Sequence, residues 1–206
     1  MMTRFHMQAS FDLVRAIERL LIAGKLDDAR RLAGSLAVEA DTPGLEPWSK
    51  QVALVRMRAA AVASASTIDA ACRLEARLDE ACAQCHVDAS AEPEFASVPR
   101  VPADDPSVPA RMARHRWAVD RLWEGMVGNS DEPWRSGLDV LAATPLPPSA
   151  LGANRVDLGR ELQRLADEAR HAVTGGLEER GRRYGEILVA CAACHTAPAV
   201  PGPRRP

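Results

Sequence analysis

The feature that most constrains this chain is a five-residue pattern, Cys-x-x-Cys-His, that occurs once in each half. The first copy is Cys82-Ala-Gln-Cys85-His86 and the second is Cys191-Ala-Ala-Cys194-His195. On a helix, positions i, i+3 and i+4 share one face, so the two thiols and the imidazole of each copy point the same way. This arrangement is typical of c-type haem attachment, in which both thiols bond the haem and the imidazole binds the iron. We therefore predict two covalently bound haem c groups, each held by two cysteines and ligated by one histidine.

Other uses of a Cys-x-x-Cys pair fit this pattern less well. A structural zinc site closes with four ligands from neighbouring segments, whereas these two pairs lie in opposite halves of the chain. A redox-active dithiol needs no histidine after its second cysteine. The fifth cysteine, Cys72, has apolar neighbours at helical spacing, and we expect it to be a buried small side chain.

Each half of the chain reads as four helices with a Cys-x-x-Cys-His motif at the end of the fourth. Apolar residues at helical spacing are separated by glycine and proline breaks, and no stretch shows the alternation typical of a strand. We predict an all-α fold of two tandem four-helix bundles. The predicted domains are a first haem bundle over 1–90, a proline-rich linker over 91–107, a second haem bundle over 108–198 and a disordered tail over 199–206.

Specific residues mark the predicted helix ends. Gly24 ends the first helix, Pro47 lies in the first turn of the third, and Thr67 caps the fourth. In the second half the corresponding helices are predicted over 109–127, 131–143, 149–173 and 177–195.

Composition agrees with this interpretation and excludes two kinds of partner. Hydrophobic residues make up 47% of the 206 residues, but only 4% are aromatic. Haem would supply the missing large apolar groups. The formal net charge is −2, with acidic and basic residues mixed in both halves, which argues against nucleic acid as a partner. No apolar run has the length of a membrane span.

Covalent haem attachment in bacteria takes place outside the cytoplasm. The first residues lack the basic-then-apolar order of a signal peptide. We therefore expect a periplasmic or otherwise exported protein whose leader is absent from the given chain.

A helical unit of about 90 residues with its haem motif at the very end resembles the class II cytochromes c, which comprise cytochrome c′ and its low-spin relatives. The resemblance depends on the positions of Cys82-x-x-Cys85-His86 and Cys191-x-x-Cys194-His195 and covers each half once. It implies a four-helix bundle for each haem. In the low-spin relatives it also implies a sixth iron ligand, a methionine from the first helix.

The sequence offers one such methionine in each half. In an antiparallel bundle the start of the first helix lies beside the end of the fourth, where the haem is. Aligning Met7 with Met112 also aligns the apolar residues that follow, so we predict that both methionines ligate iron. Core packing is the alternative role for them. His6 and His115 are the alternative ligands.

Three functions remain compatible with these residues. The first is electron transfer between redox partner proteins, with no enzymatic activity and with the oligomeric state left open. The second is a sensor or carrier that binds nitric oxide or carbon monoxide at an open iron. The third is a dihaem peroxidase, for which His115 is the candidate acid–base group. Two further sets of residues have candidate roles: haem propionate partners (Arg111, Arg114, Arg116) and tryptophans at the haem edge or in the core (Trp117, Trp123).

Overall fold

The computed structural model describes residues 2–39, 43–95, 100–147, 153–171 and 176–197. Within these ranges the chain forms only helices and connecting segments, which confirms the all-α prediction. The helices are α1 (Met2–Ile22), α2 (Leu26–Ala37), α3 (Ser49–Ala63), α4 (Ile68–Asp88), α5 (Val108–Val127), α6 (Asp131–Ala142), α7 (Ala153–His171) and α8 (Gly176–Thr196). A 3-10 turn over Glu46–Trp48 leads into α3. None of these helices combines the length and apolar character needed to cross a membrane.

Helix ends follow the local signals in the sequence. Gly24 adopts a φ of 74°, and its N–H bonds the Leu21 carbonyl while the Lys25 N–H bonds the Leu20 carbonyl. These two bonds form a Schellman motif, which needs a residue with positive φ and therefore favours glycine. At α4 the Thr67 hydroxyl accepts a hydrogen bond from the Ala70 N–H at 3.1 Å, as predicted for a cap.

The apolar faces of α1 and α5 are buried in the predicted register. Ile17 and Leu21 of α1 are fully buried, as are Leu122 and Met126 of α5. Cys72 on α4 is also fully buried, as expected. The buried side chains of both halves form one continuous hydrophobic cluster.

The two halves meet through α4 and α8, the helices that carry the Cys-x-x-Cys-His motifs. In addition, α1 packs against α8, and α5 packs against α4. Small residues allow α4 and α8 to approach closely. A Cβ added to Gly185 would lie 3.2 Å from the Cα of Arg73 and 3.4 Å from the Cβ of Ala76. The halves therefore share an interface built from the motif helices themselves.

The predicted linker is irregular in its described parts, 91–95 and 100–107, which contain no helix before Val108. Phe95 stacks on Phe11 and makes an edge contact with Trp123. The Pro102 carbonyl accepts a hydrogen bond from Arg114 at 2.7 Å. The described linker thus packs along the bundle as a strap. The predicted disordered tail, 199–206, lies outside the described residues.

Two glycines in helix interiors give a matched stability prediction. A Cβ at Gly125 would come within 2.5 Å of the Trp134 backbone nitrogen, whereas one at Gly34 would meet only the Ala63 Cβ at 3.9 Å. We expect Gly125→Ala to lower the free energy of unfolding by about 1–3 kcal/mol through overpacking. Gly34→Ala should raise it by up to about 1 kcal/mol, because alanine has the better helix propensity. Chemical denaturation of both variants checks this, and a stable Gly125→Ala variant would contradict the close α5–α6 packing.

Candidate cofactor sites

The first motif opens onto a cavity formed mainly by the first half of the chain. The last turns of α4 bring Cys82, Cys85 and His86 to one wall. His6 and Met7, from the start of α1, line the same cavity. Because α1 and α4 run antiparallel, the beginning of one helix lies beside the end of the other, as the sequence interpretation required.

This first cavity has the apolar character of a cofactor pocket. Its walls are largely apolar, and α2 and α3 contribute side chains to them. These further residues include Leu36, Val52 and Val55. A flat apolar group bonded to the two thiols would be covered by aliphatic side chains.

The imidazole of His86 is oriented for ligation. Its Nδ1 lies 3.2 Å from the carbonyl oxygen of Val127, to which it can donate a hydrogen bond. Its ring also makes an edge contact with Phe11, at 5.8 Å between centroids. Burial lowers the pKa of His86, which favours the neutral ring. Histidine ligands in proteins commonly donate their second nitrogen to a carbonyl in this way, which leaves Nε2 for the metal.

The second motif opens onto a wider cavity. Cys191, Cys194 and His195 lie on its wall near the end of α8, and Met112 and His115 enter from the start of α5. Among the other residues that line this cavity, α7 supplies apolar ones such as Leu158 and Leu162. Both halves therefore bring together the motif and the distal candidates that the sequence paired.

The alternative histidine ligands have other contacts. Nε2 of His115 lies 2.7 Å from the carbonyl oxygen of Thr144, and burial lowers the pKa of this ring. Donation to that carbonyl places the proton on Nε2, so that nitrogen does not bind metal. Nδ1 of His6 lies 3.4 Å from Oε1 of Glu39. Each of these contacts involves one ring nitrogen, so His6 and His115 stay the alternatives to Met7 and Met112 as distal ligands.

The buried thiols differ from those of a thiol-exchange enzyme. Burial raises the pKa of Cys82 well above its ordinary value and that of Cys191 to about 12. Exchange and zinc binding both use the thiolate, and reactive cysteines have lowered pKa values. The structure pairs none of the five cysteines in a disulfide. Among the described residues, no three His, Cys, Asp or Glu side chains gather into a metal site.

Each cavity also receives side chains from the other half, which the sequence interpretation missed because it treated the bundles separately. Trp123 and Val127 of α5 line the first cavity. Arg15, Glu18 and Arg19 of α1 line the second. One sequence signal could have indicated this contact between the halves. Arg15 and Glu18 lie among the buried apolar residues of α1, and charged side chains on a buried face need polar partners.

Arginines at the cavities are candidates to hold anionic groups such as carboxylates. Of the three predicted on α5, Arg116 lines the second cavity. Arg111 instead pairs with Asp104 at 2.9 Å, and Arg114 bonds the Thr144 hydroxyl at 3.0 Å. Arg15 and Arg19 join Arg116 at the second cavity, and Arg56 lines the first.

No protein-family model matches the chain, and comparisons with curated proteins and with solved structures give no match either. The interpretation of the two cavities therefore depends on the residues that line them.

Proposed function

We propose that this chain is a dihaem c-type cytochrome, similar to the low-spin class II type, that transfers electrons between redox partner proteins. The observation that carries the proposal is the same in both halves. A Cys-x-x-Cys-His motif at the end of one helix shares a cavity with a methionine from the start of an antiparallel helix. Thioether attachment, a proximal histidine and a distal methionine are the parts of a closed c-type centre.

The residues present fit haem c. In the first half Cys82 and Cys85 would hold the group, His86 would bind its iron from one side, and Met7 would bind it from the other. In the second half the corresponding residues are Cys191, Cys194, His195 and Met112. The group, when bound, supplies reversible one-electron chemistry at iron.

The protein contributes orientation, exclusion of water and control of potential. The Val127 carbonyl fixes the ring of His86, and Leu36, Val52 and Val55 shield one side of the first cavity from solvent. Methionine as the distal ligand raises the reduction potential and leaves no open position on the iron.

The proposal includes an exported location, where covalent attachment takes place in bacteria. It also includes two tandem haem units, although they share one core rather than folding as separated bundles. The proposed electron donor and acceptor are redox proteins that would bind where the haem edges are accessible.

Optical spectroscopy of the purified protein tests the proposed function. We expect reversible one-electron reduction of two low-spin haems, the weak charge-transfer band of a methionine–ferric haem bond, and no spectral response when carbon monoxide is added to the reduced form. Reversible reduction combined with strong carbon monoxide binding would replace electron transfer with gas binding. A protein without covalent haem would contradict the proposal altogether.

A further inference from the structure

A cluster of buried carboxyl groups lies where the two halves meet. It consists of Glu18 of α1 and of Glu75 and Asp79, one turn apart on α4, and is called here the carboxyl cluster. Glu75 and Asp79 are fully buried, and Glu18 is 1% exposed. Buried carboxylates are costly unless each is paired or protonated.

Two of the three carboxyl groups have hydrogen-bond donors. Glu18 accepts a bond from the Tyr184 hydroxyl and one from Arg15 at 2.6 Å. Oδ1 of Asp79 accepts one from the Trp123 indole at 2.9 Å. Three of the other oxygens, both Oε atoms of Glu75 and Oδ2 of Asp79, have no donor among the described residues.

Glu75 and Asp79 lie four residues apart on one face of α4, where side chains at this spacing are neighbours, and both are fully buried. Ionised carboxylates are only acceptors, so a hydrogen bond between the two needs a proton on one of them. A shared proton would thus supply the missing donor. The Glu75–Asp79 pair is built to hold a proton rather than two negative charges.

The charges around the cluster do not compensate three carboxylates. Arg15 is the cation in direct contact, and it also pairs with the exposed Asp120 of α5. Burial raises the pKa of Asp79 to about 8 and that of Glu75 well above its ordinary range. Other titratable or charged groups facing the cluster are Arg19 of α1, Cys72 and Cys82 of α4, and Tyr184 and Cys191 of α8.

The cluster spans the space between the two cavities. Asp79 lines the first cavity, and Glu18 and Arg15 line the second. A charge that changes in either cavity therefore acts on the cluster at short range through buried protein, where screening is weak.

We propose that the Glu75–Asp79 pair is a proton-binding site that takes up one proton when an electron enters the adjoining cofactor sites and releases it on oxidation. The inference depends on the proposed function, since it needs a redox group in at least one cavity. The electron would come from a redox partner protein and enter the group held in the cavities. The proton would come from a solvent hydronium ion, which becomes water, and would bind one carboxylate oxygen of the pair. The net charge of the site is then unchanged.

The sign of the coupling follows from electrostatics. The additional positive charge of the oxidised site favours the ionised pair, so the pair binds protons more weakly in the oxidised protein than in the reduced one. Between these two affinities, each rise of one pH unit should disfavour reduction by up to tenfold, about 59 mV for one electron. We expect the larger effect at the first site, which Asp79 lines.

Reduction potentials measured by spectroelectrochemistry across the pH range test this inference. The variants are Glu75→Gln, Asp79→Asn and their combination, which keep the shape of the side chains; the amide oxygen that Asp79→Asn introduces can still accept from Trp123. The control is Asp69→Asn, which removes an exposed carboxylate from the same helix. We expect the tenfold-per-unit dependence in the natural protein and in the control, and at least a halving of that slope in each single variant. A slope unchanged in the single variants would overturn the proposal, even if the double variant did not fold.

Infrared difference spectra between reduced and oxidised protein provide a second readout. We expect a carbonyl band of a protonated carboxylic acid that appears on reduction and is lost in Glu75→Gln or Asp79→Asn. Haem content is measured first on the same sample. Absence of haem would refute the proposed function, whereas two haems with potentials independent of pH would refute only the proton-binding site.

Discussion

Replacing Cys82 and Cys85 together with alanine should leave one covalently bound haem per chain instead of two. In the proposed function the two thiols would be the attachment points in the first cavity, and alanine cannot form a thioether. The second site, with Cys191 and Cys194, should keep its haem. Absorbance of the denatured protein per mole of chain measures this directly.

The same variant should also be much less stable. Without the proposed group, the apolar walls of the first cavity lose the partner that they would pack against. We expect the free energy of unfolding to fall by at least about 3 kcal/mol, the cost of emptying a large aromatic site. Because the halves share one core, the loss should reach beyond α1–α4.

Cys72→Ala is the matched control for this pair. Cys72 lies on the same helix and is fully buried, but it belongs to neither motif. This variant should keep both haems and lose only about 1 kcal/mol of stability, as expected for one small buried group. If the Cys82/Cys85 variant retained two haems, or if Cys72→Ala lost one, the assignment of the attachment residues would be wrong.

Met7→Ala and Met112→Ala should each convert one haem from a closed to an open centre. Removal of the methionine sulfur leaves the iron with one protein ligand, which produces a high-spin ferric spectrum and carbon monoxide binding in the reduced form. One of the two haems should respond in each single variant, and both in the double variant. The potential of the affected haem should also fall, because methionine ligation raises it.

Controls for this prediction use the other candidate ligands and another methionine. Met57 is 56% exposed on α3, so Met57→Ala should leave both spectra unchanged. His115→Ala should also preserve the low-spin spectrum, because Met112 is the proposed distal ligand in that half. High-spin features in His6→Ala or His115→Ala, with none in the methionine variants, would instead make histidine the distal ligand.

Local features of the fold could be predicted from the sequence because they depend on residues close together in the chain. The Gly24 turn, the Thr67 cap and the inner faces of α1 and α5 follow from propensity and periodicity. The two motifs and the neighbouring methionines could also be placed at the same end of each unit, because antiparallel helices fix which ends meet.

The association of the halves could not be predicted in this way. The close approach of α4 and α8 depends on Gly185 fitting against Arg73 and Ala76, a match between distant segments. Trp123 was predicted at a haem edge or in the core, but nothing local indicated that it would line the cavity of the other half. The carboxyl cluster arises from the same interface, since its members become neighbours only when α1, α4 and α8 pack together.

The central claim is that the chain carries two covalent haems, and intact mass spectrometry tests it most directly. The protein should be produced in cells that export it and attach haem, and then denatured to remove anything not covalently bound. We predict a mass equal to that of the chain plus two haems. A chain without added mass, in cells that load a known c-type cytochrome in parallel, would contradict the account.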